Sequence, residues 1–238
     1  AAMSIILAVD TSTSINTVAL CRGEPGARDV AVLAEMVVEC RRRHAERLME
    51  AVAWTFAESG YSLSDVDVLA VSVGPGSFTG LRIGVSAWKG LAFARRLPLV
   101  GVPTLDAMSR VFPIQDGVVC PLLDARMKEV YGSSYRYVRG TREKLFPDRV
   151  GRVEDMLEEL SGPIWFLGDG AAIYRERILA RIPESLFAPA FCSVPRAAAV
   201  AAEALHLLGT GISPDAGRVA PVYIRPSQAE MSRDGRTI

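Results

Sequence analysis

Residues 4–9 form a nearly continuous apolar run that stops at Asp10-Thr11-Ser12-Thr13-Ser14, and a second strand-forming run, 17–21, follows at once. This pattern predicts a hairpin around a hydroxyl-rich turn. Residues 30–38 supply a third strand before any helix, which is not how a dinucleotide-binding βαβ unit opens. Over 42–58 the apolar positions Leu48, Val52, Trp54 and Phe56 fall among charges at helical spacing, and Gly60 ends the helix. A buried strand at 66–73 then runs into Gly74-Pro75-Gly76-Ser77-Phe78-Thr79-Gly80. A second helix extends to about residue 95, and 99–102 makes the next strand. The resulting order is β-β-β-α-β-α-β.

The second half begins in the same way. Strands at 118–123 and 129–138 flank the turn Asp124-Ala125-Arg126-Met127-Lys128. A helix over 153–160, a strand over 164–167 ending in Gly168-Asp169-Gly170, and a helix over 171–182 follow. Pro195 opens an alanine-rich last helix, at a position where its missing N–H costs nothing. Two halves that each start with a hairpin and carry an Asp in the first turn predict an internal duplication. The expected division is an N-terminal lobe, 1–108, and a C-terminal lobe, 109–238, with the last helix and tail in the second.

Composition narrows the function classes. Half of the 238 residues are hydrophobic, so a packed core is expected. Twenty-seven basic residues balance 27 acidic ones, which removes the broad electrostatic footprint of a protein that grips nucleic acid by its phosphates. Any contact with RNA is then local or indirect. No apolar run reaches the ~20 residues of a membrane span. The cysteines Cys21, Cys40, Cys120 and Cys192 lie far apart without a C-x-x-C pair, as buried thiols of a cytoplasmic protein would.

Candidate chemistry is sparse. Asp10, Thr11 and Ser12 end a buried strand, where hydroxyls and backbone amides hold a phosphate in many proteins; a turn closed by its own hydroxyls gives the same pattern. Gly74-x-Gly76-x-x-x-Gly80 has one residue too many for a dinucleotide fingerprint, and no Lys-Ser/Thr pair makes it a P-loop. It suits either close approach of backbone to an anion or a tight structural turn. Gly168, Asp169 and Gly170 are open to the same two readings. Only His44 and His206 are present, far apart and without partners at ligand spacing, and no G-x-S-x-G nucleophile elbow occurs.

Taken together, Asp10-Thr11-Ser12, the run from Gly74 to Gly84, Gly101-Val102-Pro103-Thr104-Leu105, Asp124-Ala125-Arg126, Gly168-Asp169-Gly170 and Pro221-Val222-Tyr223-Ile224-Arg225 resemble the TsaB family, also called YeaZ. The resemblance implies an α/β, two-lobed, duplicated fold of the actin, sugar-kinase and heat-shock-chaperone class, which is ribonuclease H-like. It also implies a non-catalytic role beside TsaD, the paralogue that transfers threonylcarbamoyl to the adenosine next to the anticodon of tRNA, with TsaE as ATPase. No cofactor is expected to bind tightly to the chain alone, ATP or ADP is possible only in the complex, with Asp10, Thr11, Ser12, Gly168, Asp169 and Gly170 as the candidate contacts, and a homodimer is possible for the isolated chain. TsaD-type proteins carry two metal-binding histidines four apart, and the matching positions here hold Thr104 and Met108. Neither replaces imidazole, so no metal is expected. The family loop also leads one to expect Gly near position 128, where Lys128 stands. Two rival classes are a glycoprotease-like metallopeptidase and a small-molecule kinase of the same superfamily.

A partner surface follows from the helix after Phe78. Gly80, Gly84, Ala87 and Leu91 line one side, while Leu81, Val85, Trp88 and Ala92 line the next. A helix on one sheet needs an apolar stripe of only ~100°, so the surplus predicts a second packing surface, either the other lobe or a partner. The preferred expectation is docking through Leu48, Val52, Leu81, Arg82, Val85, Trp88 and Lys89, with Val85→Glu breaking association but sparing the fold.

Overall fold

The structure, a computed structural model, describes residues 2–40, 44–111 and 115–225. The first lobe runs β1 (Ser4–Asp10), β2 (Ile15–Gly23), β3 (Ala31–Glu39), α1 (His44–Ser59), β4 (Val68–Gly74), α2 (Phe78–Arg95) and β5 (Leu99–Pro103), and the short α3 (Thr104–Met108) leads out of it. The second lobe runs β6 (Gly117–Asp124), β7 (Val130–Val138), β8 (Thr141–Gly151), α4 (Val153–Leu157), β9 (Ile164–Leu167), α5 (Asp169–Ile173), α6 (Arg175–Arg181) and β10 (Leu186–Phe187), before α7 (Ala197–Gly209). The sheets are ordered β3-β2-β1-β4-β5 and β8-β7-β6-β9-β10. In each, the first three strands pair antiparallel and the last three parallel. The same topology twice over is the duplication that the strand-first order predicts.

Because successive side chains of a strand face opposite ways, β1 feeds two cores at once. Leu7 and Val9 pack with Leu48, Val85 and Trp88 of α1 and α2, while Ile6 and Ala8 pack with Val200, Ala204 and Leu205 of α7. Burial on both faces explains why β1 reads as a continuous apolar run. In the second sheet, Cys120, Leu122 and Phe166 face α4 and α6, whereas Val119, Leu123 and Tyr135 meet Leu105 and Met108 of α3.

Four sequence readings are corrected. The strand β8 is an 11-residue edge strand that the hydrophobic pattern hides, since it carries Arg142, Glu143, Lys144, Asp148, Arg149 and Pro147. Charges and proline are what an edge strand tolerates. The helix expected over 171–182 is two helices, broken at Tyr174 (φ −103°, ψ 19°). The last helix starts after Pro195 with Arg196 as its N-cap, because Glu35 of β3 pairs with Arg196 and accepts the Ala198 N–H at 3.1 Å. Finally, α7, expected with the second lobe, packs on the sheet of the first. Arg42 and Arg43, expected within the first helix, the preceding Arg41 and the His44 side chain lie outside the described residues.

Candidate functional site

Asp10 ends β1 with no exposed surface. Its Oδ1 accepts the Ser12 N–H (2.9 Å) and the Ser12 hydroxyl (2.7 Å), and its Oδ2 accepts the Ser72 hydroxyl of β4. Burial raises the Asp10 pKa above the ordinary carboxylate range, and the hydrogen bonds from Ser72 and Ser12 offset this only in part. The Thr11 hydroxyl donates to the Gly80 carbonyl (2.7 Å), and the Ser77 N–H donates to the Ser12 carbonyl (2.6 Å). A β-carbon at Gly76 would collide with Ser12, and one at Gly80 or Gly84 with Thr11. The glycine spacing therefore seats the start of α2 directly on the first turn. Donors that could hold a phosphate, namely the Ser12 and Ser77 amides and the Thr11 hydroxyl, are spent inside the chain.

The second lobe repeats this arrangement. Gly168 and Gly170 lie against the backbone of Leu122 and Leu123, and Asp169 Oδ1 accepts the N–H groups of Asp124 (2.9 Å) and Gly170 (2.8 Å). Burial raises the Asp169 pKa as well. Both turns expected to seat a nucleotide thus close on their own sheets. Thr104 and Met108, one turn apart on α3, are buried between the lobes. Among the described residues no group of three His, Cys, Asp or Glu side chains is disposed to hold a metal ion.

The β6–β7 turn keeps a left-handed backbone without the expected glycine. Arg126, Met127 and Lys128 have φ of 63°, 54° and 63°. Each such residue costs about 1–2 kcal/mol, so the surroundings must hold the turn in place. Asp124 accepts the Arg126 N–H (3.0 Å), Ala125 and Glu129 are hydrogen-bonded across the turn, and Arg225 donates to the Ala125 carbonyl (2.8 Å) while pairing with Glu129.

The expected partner surface needs the largest correction. Leu48, Val52, Leu81, Val85 and Trp88 are all buried, the four other than Leu81 in the first lobe's own core, and the Trp88 indole N–H donates to the Leu7 carbonyl at 3.1 Å. The wide apolar stripe of α2 is consumed internally: one side on the Asp10 turn, one on the sheet, and Ile83 and Ala87 in the same core as α1. A glutamate at 85 would be an unpaired buried charge and would unfold the lobe. Arg82 and Lys89 do reach the surface, where they hold the chain's own residues 215–225. Lys89 donates to the carbonyls of Val219 (2.9 Å) and Gly217 (3.3 Å), and Arg82 donates to the Tyr223 hydroxyl (3.1 Å). Arg82 also lies over the Phe78 ring, which packs against the Tyr223 ring, and the Val222 N–H donates to the Val73 carbonyl (2.7 Å).

What α1 and α2 leave open is a different set. Met49 and Trp54 on α1 are 49% and 41% exposed, and Phe93 on α2 is 90% exposed. Ala53, Ser86 and Gly90 are exposed as well, with nothing within 4 Å of a β-carbon placed on Gly90. Helical spacing of polar residues near Phe93 gave no hint of this, because the wheel ranks apolar positions and cannot say which of several apolar sides the fold uses.

A family model described as TsaD, tRNA N6-adenosine threonylcarbamoyltransferase, matches residues 36–231. The tRNA threonylcarbamoyladenosine biosynthesis protein TsaB of Bacillus subtilis is 33% identical over 176 residues, 73% of this chain and 74% of that protein. Its namesake in Escherichia coli is 36% identical over 174 residues, 69% and 71% of the two chains. The solved structure of YeaZ from Pseudomonas aeruginosa aligns with a TM-score of 0.75 at 30% identity, over 92% of this chain and 99% of that one. The five-stranded sheet repeated in each lobe, three strands antiparallel and three parallel, defines a two-lobed, duplicated α/β protein. Within that class, the chain belongs to the TsaB family.

Proposed function

We propose that this chain is a non-catalytic subunit in tRNA threonylcarbamoyladenosine synthesis, supporting a TsaD-type partner that transfers threonylcarbamoyl to the adenosine beside the anticodon. One observation carries the reading: the first-lobe turn whose donors could hold a phosphate is packed against the chain's own Gly76–Gly80 backbone, while the apolar side chains Met49, Trp54 and Phe93 of α1 and α2 are exposed. A small-molecule kinase needs those amides for its nucleotide. A metallopeptidase needs ligands where Thr104 and Met108 stand. Docking is proposed through the open side of α1 and α2, around Met49, Ala53, Gly90 and Phe93. TsaE is the expected source of ATP hydrolysis, nucleotide binds only in the assembled complex, and a second copy takes the TsaD place when this chain is alone. Contact with tRNA is local or indirect, in keeping with the zero net charge.

Gly90→Arg tests the surface, because the position is open and helical and the fold should survive the change. Co-purification with TsaD should be lost and tRNA modification in a reconstituted mixture should drop by at least tenfold, with the melting temperature unchanged. Intact modification with Gly90→Arg would move the interface elsewhere. Modification by the chain without TsaD, or tight ATP binding by the chain alone, would instead refute the non-catalytic reading.

A further inference from the structure

Two lobes joined by a few chain crossings are expected to move against each other, as in hinged nucleotide-binding proteins. The contact between these lobes is built otherwise. Glu203 of α7, which is 1% exposed, lies between Arg110 beyond α3 and Arg142 of β8, each 12% exposed. Arg142 uses its whole fork: Nη2 donates to Glu203 Oε1 (2.7 Å), and Nη1 donates to the Asp106 carbonyl (2.7 Å) and to Ser109 Oγ (2.9 Å). Around it, the Tyr135 hydroxyl and Lys144 Nζ both donate to Asp106 Oδ1, and the Tyr137 hydroxyl donates to the Ser109 carbonyl (2.8 Å). Apart from the Arg110–Glu203 pair, each of these bonds runs from the second sheet to α3, to the residues just after it, or to α7. On the far side, Arg225 reaches from the segment lying on α2 to the β6–β7 turn.

We infer that the Arg110–Glu203–Arg142 cluster is a lock that joins the lobes into one rigid body, so that the chain does not hinge around a nucleotide as other two-lobed folds do. The physical reason is the asymmetry of buried charge. A paired, hydrogen-bonded cluster is tolerated, but sliding the lobes apart takes the Arg142 guanidinium from Glu203, the Asp106 carbonyl and Ser109 at once, while Glu203 keeps only Arg110. Burial by itself would raise Glu203, and the two guanidiniums outweigh it and hold the carboxyl below its ordinary value, so the cluster stays charged at neutral pH. The rigidity is a property of the chain on its own, whatever assembles on it.

Pulsed dipolar spectroscopy tests this. Spin labels at Glu58 on α1 and Ala180 on α6 occupy exposed sites in the two lobes, in a Cys192→Ser background and diluted with unlabelled chain. The expected result is one narrow distance distribution that magnesium-ATP leaves unchanged, and a broadened or shifted one in Arg142→Met. If Arg142→Met does not fold, Arg142→Lys keeps the charge but cannot make all three contacts, and it should broaden the distribution too. A wild-type distance that is broad or shifts with ATP would overturn the inference. So would a folded Arg142→Met, or a folded Arg142→Lys, with the wild-type distribution.

Discussion

A single carboxyl illustrates how burial turns into a pH effect. Asp10 has a folded pKa raised above its unfolded value of about 3.9, so the fold favours its protonated form. Its contribution to stability is then fully present below about pH 3.9 and is lost as pH rises through the folded value. At neutral pH the ionised group is a net cost. Asp10→Asn keeps an acceptor for Ser12 and gains a donor for Ser72, and it should stabilise the protein by about 1 kcal/mol at pH 7 in urea unfolding, a gain that disappears below about pH 4. A second position stores backbone strain instead. Lys128, at φ 63° and exposed, occupies a conformation that glycine adopts freely. Lys128→Gly should raise the unfolding free energy by about 1 kcal/mol, and a loss of stability would mean that the lysine side chain itself holds the turn. The sequence signalled this site only as a missing glycine. It could not show that Arg225, nearly a hundred residues away, keeps the turn left-handed without one.

At the scale of elements, segments with a strong apolar signal were legible and those without were not. α1 and α2 announce themselves by helical spacing, and β1 and β4 by nearly unbroken apolar runs buried on both faces. By contrast β8 carries charges and a proline, and residues 215–225 have no secondary structure at all, yet the latter cover the outer side of α2. Val219 of that segment is buried in the first core, and Val222 extends the hydrogen bonding of β4. Ending the chain at Pro214 should therefore cost about 2–4 kcal/mol in urea unfolding, well beyond the effect of trimming a free tail. An unchanged midpoint would show that these contacts are only superficial. The same segment explains why Arg82 and Lys89 misled the reading of a partner surface: cations along a helix look alike whether they face a partner, solvent or the chain's own later carbonyls.

For the whole molecule, the duplicated order of strands and helices was readable, since each lobe repeats it with its own Asp turn. The sharing of parts between lobes was not. Pattern along the chain tells which side of a helix is apolar but not which sheet it will cover, and so the alanine-rich stripe of α7 gives no sign that it serves the first lobe. That crossing has a consequence for how the protein is made. The strands β1, β2, β4 and β5 leave the ribosome long before α7 does, and until then Ile6, Ala8, Ala19, Val100 and Val102 have no cover on that face. At common elongation rates the gap between the end of β5 and the start of α7 lasts about 5–20 s, far longer than collapse of a small chain. During translation the first sheet is thus a sticky, half-dressed surface that holding chaperones can grasp, and the lobe begun first is the one completed last.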